Sequence, residues 1–182
     1  MLAQQVAKKY GNALFEIARE KGLIEQAWEQ FNSLADYLRK DSTFLDFMSA
    51  PQIPDADKLA LVEKIFKPRL DRPFYNFLLV LVDKRRIIYL VEIVEEFDRL
   101  VRQHKGIARA VCITTVPIND EERRRLIEKL SQKTNLKIEL EEKIDRAIVG
   151  GTVVILQNQI MDGSIRYALS LLRNRLMKVK VH

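Results

Sequence analysis

Through its first hundred residues the chain repeats apolar side chains every three or four positions, the spacing of one helix face. In VAKKYGNALFEIA the stripe is Val6, Tyr10, Ala13/Leu14 and Ile17. After Gly22 it resumes with Ile24, Ala27/Trp28, Phe31, Leu34/Ala35 and Leu38. DSTFLDFM predicts a short helix capped by Asp41 or Ser42 and stopped by the prolines of APQIPD. Asp55 is placed to cap ADKLALVEKIF, which Pro68 closes. LDRPFYNFLLVLVDKRR opens with Asp71 and a first-turn proline, Pro73, where the missing N–H costs nothing. IIYLVEIVEEFDRLVRQHKG then runs to Gly106, with His104 and Lys105 in its last turn. Six helices with short connections predict an antiparallel bundle over residues 1–105.

After Gly106 the period changes. IARAVCITTV is β-branched and alternating, and Pro117 ends it. NDEERRRLIEKLSQKT sets Asn119 and Glu122 at capping-box spacing and buries Leu126, Ile127 and Leu130. LKIELEEKI alternates through Leu136, Ile138 and Leu140, VGGTVVIL reads as a buried strand, QNQ as a turn and IM as a short returning strand. SIRYALSLLRNRLMK predicts a closing helix with Ile165, Ala168/Leu169, Leu172 and Leu176 on one face. The expectation is an α+β protein: the helical bundle, then a small β-α-β-β-β-α domain over 106–182. The boundary near 104–107 has almost no linker.

A length of 182 residues, 47% apolar and 31% charged, suits one domain or two small ones with a proper core. No apolar run approaches the roughly 20 residues needed to cross a bilayer. The first twenty residues carry no apolar secretory segment, and two acids among them argue against a transit peptide. The single cysteine, Cys112, allows no internal disulfide and fits a reducing compartment. The net charge of +6 is uneven. Residues 1–105 hold 17 Lys/Arg against 16 Asp/Glu, whereas residues 106–182 hold 14 against 9. The second half therefore favours an acidic partner through long-range attraction.

Catalytic chemistry finds no foothold. A phosphate loop needs G-x-x-x-x-G-K-[ST], and GGTVVILQ supplies neither the lysine nor a following helix. Gly150 and Gly151 read instead as a hinge or close backbone approach, and Asp162-Gly163 as the turn into the last helix. His104, His182 and Cys112 are scattered, with no zinc spacing, and no histidine is placed to activate the thiol. Glu141, Glu142 and Asp145 read as a solvated edge. No metal, cofactor or catalytic residue is assigned. KRR at 84–86 and RRR at 123–125 lack the interleaved aromatics of single-strand binders, so they read as solvated faces.

FYNFLLVLVD, residues 74–83, is apolar around nearly its whole circumference, with only Asn76 and Asp83 as a polar edge. It is either the central helix of the bundle or leaves Phe77, Val80 and Leu81 for another protein's helix. The first helix offers a matching stripe in Tyr10, Ala13, Leu14 and Ile17, and a groove between two such helices is an established way to bind a helix.

YGNALFEIA, NFLLVLVDKRRIIYLVEIVEEF and above all IVGGTVVILQNQIMDGSIRYALSLLRNRL resemble the δ subunit family of bacterial F-type ATP synthase. The mitochondrial oligomycin-sensitivity-conferring protein is its relative, and the resemblance runs over essentially the whole chain. It implies a non-catalytic connector, one copy per complex, joining the catalytic head to the peripheral stalk so that ion flow stays coupled to ATP synthesis. The N-terminal bundle would hold the amphipathic N-terminal helix of an α subunit between its first and fifth helices. The second domain would meet the C-terminal end of the stalk's b subunit, and Arg166, Arg173, Arg175 and Lys178 of the last helix suit an acidic partner. The expected place is the cytoplasmic face of a bacterial membrane, reached only through the complex, with no nucleic acid bound. An RNA-binding or general adaptor protein is the alternative.

Overall fold

A computed structural model of the chain describes residues 2–157 and 159–179, the last two by their backbone alone. It is α+β and divides into two compact units, Met1–His104 and Lys105–His182. Among the described residues the first unit contains α1 (Leu2–Glu20), α2 (Ile24–Lys40), α3 (Thr43–Ser49), α4 (Asp55–Phe66), α5 (Arg72–Asp83) and α6 (Leu90–His104). A 3-10 turn at Ile87–Tyr89 leads into α6.

The core of this unit is aromatic at its centre. The Phe31 ring meets those of Phe74, Phe77 and Phe97 edge to face, with centroids 5.7, 6.3 and 6.1 Å away. Such geometry adds about 0.5–1.5 kcal/mol per pair beyond area burial. Helix α1 lies closely on α6 because Gly11 has no side chain. A Cβ there would stand 2.8 Å from Glu96 Cγ and 3.1 Å from the Ile93 carbonyl. Across α2 and α6, Trp28 Nε1 donates to Asp98 Oδ1 at 2.7 Å, and Arg102 Nε donates to Asp98 Oδ2 at 2.8 Å. The same guanidinium sits 5.3 Å over the Trp28 ring, so a carboxylate holds the indole at its N–H edge and a cation covers one face.

The second unit is built on a sheet of order β2-β1-β3-β4. The strands are β1 (Ile107–Thr114), β2 (Lys137–Ile144), β3 (Thr152–Leu156) and β4 (Gln159–Asp162). Strand β1 pairs in parallel with β2 and antiparallel with β3, and β3 and β4 form a hairpin. The parallel pair needs a long connection, and α7 (Asp120–Thr134) supplies it. Its start is fixed as the spacing predicts. Asn119 Oδ1 accepts from Glu122 N at 2.8 Å, and the Glu122 carboxylate accepts from Asn119 N at 3.1 Å. One sheet face, with Ala108, Ala110, Cys112, Ile138, Leu140, Val154 and Leu156, packs with Leu130 of α7 and the half-buried Leu126 and Ile127.

The last helix is α8 (Ile165–Val179). The apolar face predicted from its spacing is present but uncovered: Ile165 is 50% exposed, Leu169 60%, Leu172 54% and Leu176 68%. Periodicity finds an apolar stripe, but it does not say whether the covering surface belongs to the same chain.

Candidate docking surfaces

On α1 and α5 the structure separates the seven residues read as a groove. Leu14 and Leu81 are fully buried and Phe77 nearly so, which makes these three part of the core in the free chain. Tyr10 and Ile17 are half-buried, and Ala13 and Val80 are exposed. The Tyr10 ring meets the edge of Phe77 at 6.4 Å and so joins the core to the surface. Helix α5 has an inner and an outer side. Phe74, Phe77, Leu78, Leu81 and Val82 are buried, and a narrow outer edge remains, Asn76, Val80 and Asp83. Those positions are spaced by four and three residues, so the polar edge seen in sequence carries one apolar side chain, Val80, into solvent.

The glycine stretch belongs to the base of α8. Strand β3 begins only at Thr152, so Gly150 and Gly151 lie before it. Gly151 has φ +85°, and a Cβ on it would stand 2.4 Å from the Gly163 carbonyl oxygen. A Cβ on Gly150 would meet Ile165 Cδ1 at 2.8 Å. Any side chain on Gly151 would collide with the chain's own backbone. Gly163 N donates to Thr152 O at 2.9 Å, and Ile165 N donates to Gly150 O at 3.0 Å. Ser164, buried, caps the helix by accepting from Tyr167 N at 3.1 Å. Asp162 Oδ1 accepts from Ser164 N at 2.9 Å. Hydrogen bonds from the Ser164 hydroxyl and backbone N–H hold the Asp162 carboxyl below its ordinary value. The glycines thus let the chain pass close enough for these bonds to set where α8 begins.

On α8 itself Arg166, Arg173 and Arg175 are exposed, and none has an acidic partner among the described residues. The Lys178 side chain lies outside the described residues. Charge alone pointed to these cations and missed the larger feature, the open row of Leu169, Leu172 and Leu176 beside them. The signal for it was in the sequence, as a stripe of Ile165, Leu169, Leu172 and Leu176 on one helix face.

Elsewhere several members of the charged runs pair locally. Arg123 pairs with Glu142 at 2.7 Å and donates to the Leu140 carbonyl, Arg125 pairs with Glu121, and Arg85 pairs with Asp55 at 3.1 Å. Glu141 accepts from Arg109, which with Lys143 lowers the affinity of its carboxyl for a proton. Asp145 Oδ1 accepts from Ala147 N at 2.8 Å. Cys112 is fully buried and desolvation pushes its thiol up, the reverse of an activated nucleophile. The His104 ring packs edge to face on Phe15, and His182 lies outside the described residues. Among the described residues no group of three His, Cys, Asp or Glu is placed to hold a metal, and no helix is long and apolar enough to cross a membrane.

Each unit has its own core, an apolar row is left open on α8, and no catalytic or metal-binding cluster stands among the described residues, the features of a docking protein. Residues 6–176 match the family described as ATP synthase delta (OSCP) subunit. "ATP synthase subunit delta" of Clostridium kluyveri is 32% identical over 171 residues, covering 94% of this chain and 94% of its own. The protein of that name from Clostridium botulinum (strain Loch Maree / Type A3) is 31% identical, with 94% and 96% covered. A chain of the Toxoplasma gondii mitochondrial ATP synthase hexamer shares the fold, with TM-score 0.73 at 20% identity over 94% of this chain and 97% of that one. The chain belongs to the ATP synthase delta (OSCP) subunit family. It is therefore a non-catalytic connector within the ATP synthase stator, and the RNA-binding or general adaptor alternative draws no support from these matches.

Proposed function

We propose that the two units hold different partners. The first, residues 1–105, is a six-helix bundle that takes the amphipathic N-terminal helix of an α subunit on the surface of Tyr10, Ala13, Ile17 and Val80. The second, residues 106–182 with its β-α-β-β-β-α order, takes the C-terminal end of the stalk's b subunit along α8. One copy joins head to stalk at the cytoplasmic face of a bacterial membrane and resists rotor torque, so that ion flow is spent on ATP synthesis.

The observation that carries this reading is the open apolar row of α8, flanked by Arg166, Arg173 and Arg175. Burying a leucine contributes about 1.5–3 kcal/mol, which the isolated chain forgoes at three successive turns. A partner helix with an apolar face and acidic flanks recovers that energy and neutralises the arginines. The α contact has a smaller apolar surface and depends more on Val80.

Calorimetric titration of the protein with a peptide matching the N-terminus of the α subunit tests the first contact. A one-to-one complex is expected, and Val80→Asp weakens it by about 2 kcal/mol while circular dichroism stays unchanged, because Val80 is already 48% exposed. Loss of helical signal in the variant, or unchanged affinity, contradicts the assignment.

A further inference from the structure

A large, mainly apolar cavity of the helical unit lies elsewhere, between α2, α3 and α4, and neither proposed contact uses it. Its volume is about 970 Å³, at the upper end of the few hundred to a thousand Å³ usual for binding clefts. Leu34 and Leu38 of α2 form one wall and Leu61 and Ile65 of α4 the other, with Phe44 of α3 between. Within each pair the residues are one helical turn apart, so α2 and α4 each bring an apolar row to the cavity, the kind of lining a helix can dock against.

The polar groups of the cavity say what that helix carries. Gln30 Nε2 donates to Asp71 Oδ2 at 3.3 Å, but Gln30 Oε1 is buried and accepts no hydrogen bond. Lys64 and Arg69 line the α4 side and have no acidic partner among the described residues. Glu29 lines the α2 side. A helix N-terminus offers unpaired N–H groups, and acidic side chains are favoured in its first turn. We infer that this trough is a second docking site, for the N-terminal turns of an amphipathic helix of another protein whose acidic first turn faces Lys64 and Arg69. Such a helix gives Gln30 Oε1 a donor, lays its apolar face on both apolar rows and places any basic flank toward Glu29. The opposite signs of the two walls fix its orientation. The site does not depend on the α and b assignments.

The test is methyl and side-chain amide NMR of the full chain titrated with two designed peptides of about 18 residues, long enough to become helical on docking. Both have the same leucine face, one with a Glu-rich first turn and the other with Lys in its place. Expected are shifts of the Leu34, Leu61 and Ile65 methyls and of the Gln30 side-chain amide with the acidic peptide only. The double variant Lys64→Glu/Arg69→Glu weakens that peptide about tenfold or more, the scale of two partly exposed charge contacts. Both residues are exposed, so the variant keeps its circular dichroism and its affinity for the α peptide, whereas Val80→Asp leaves the trough unaffected. Equal binding of the two peptides, an unchanged affinity in the double variant, or absence of shifts in the trough overturns the inference. So does a trough that takes decanoate but neither peptide, which would make it a site for small amphiphiles.

Discussion

The two units solve the problem of a stable core differently. In the first, helices enclose a centre in which Phe31, Phe74 and Phe97 have no exposed surface, and the apolar residues left outside are few and dispersed. In the second, one helix covers one face of a four-stranded sheet, and the closing helix keeps a whole apolar row in water. The first unit closes its aromatic core within itself, and the second leaves the apolar row of one helix uncovered. Under the proposed assignment that row is the surface the second unit completes on its partner.

The strongest way to break that comparison is to damage each core separately. Phe97→Ala removes a fully buried ring and is expected to cost about 3–5 kcal/mol in the first unit only. Gly151→Val forces a side chain onto the Gly163 carbonyl at φ +85° and is expected to cost about 3 kcal/mol or more in the second unit only. Hydrogen exchange read unit by unit checks both. If either substitution lowers protection across the whole chain equally, the units are one cooperative body and the comparison fails.

A smaller effect sharpens it. Leu172→Asp on α8 changes the stability of the free protein by no more than about 0.5 kcal/mol, as for other exposed positions, yet weakens binding of a fragment from the C-terminal end of the stalk's b chain by about 2 kcal/mol. Thermal melting and a pull-down titration read the two quantities. Destabilisation of the free chain would mean that α8 has an internal partner after all.

The smallest expected effect is on pH. The folded Asp162 carboxyl is held below its ordinary value of 3.8 by Ser164. A lowered folded value means that its contribution is fully present above 3.8 and is lost as pH falls through the lower, folded value. Asp162→Asn should therefore flatten the acid limb of the second unit's stability. It should leave the first unit's limb alone, where the Arg99 hydrogen bond depresses Glu96 in the same direction. A variant with an unaltered acid limb would show that the turn into α8 does not depend on the charge.

Much of this was legible in the residues. Stripes at helical spacing located α1 and α2 because each buries one continuous face, and the Asn119/Glu122 spacing located the start of α7 because both halves of its cap are local. Residues whose role is decided by a distant element were harder to place. Leu14, Phe77 and Leu81 lie on the same stripes as Ile17 and Val80, and only packing tells inside from outside. Gly11 gave no local signal, since its role is the approach of α6, about eighty residues later in the chain. The trough between α2 and α4 was likewise invisible, because it is a space left between elements.

Trp28 is the chain's sole tryptophan and Cys112 its sole cysteine, and they sit in different cores. The molecule therefore carries one native reporter per unit. Indole emission, sensitive to the Asp98 and Arg102 contacts, follows the first unit, while the rate at which a thiol reagent reaches the buried sulfur follows opening of the second. One unlabelled sample in one cuvette can time both events during assembly, and show which end of the joint closes first.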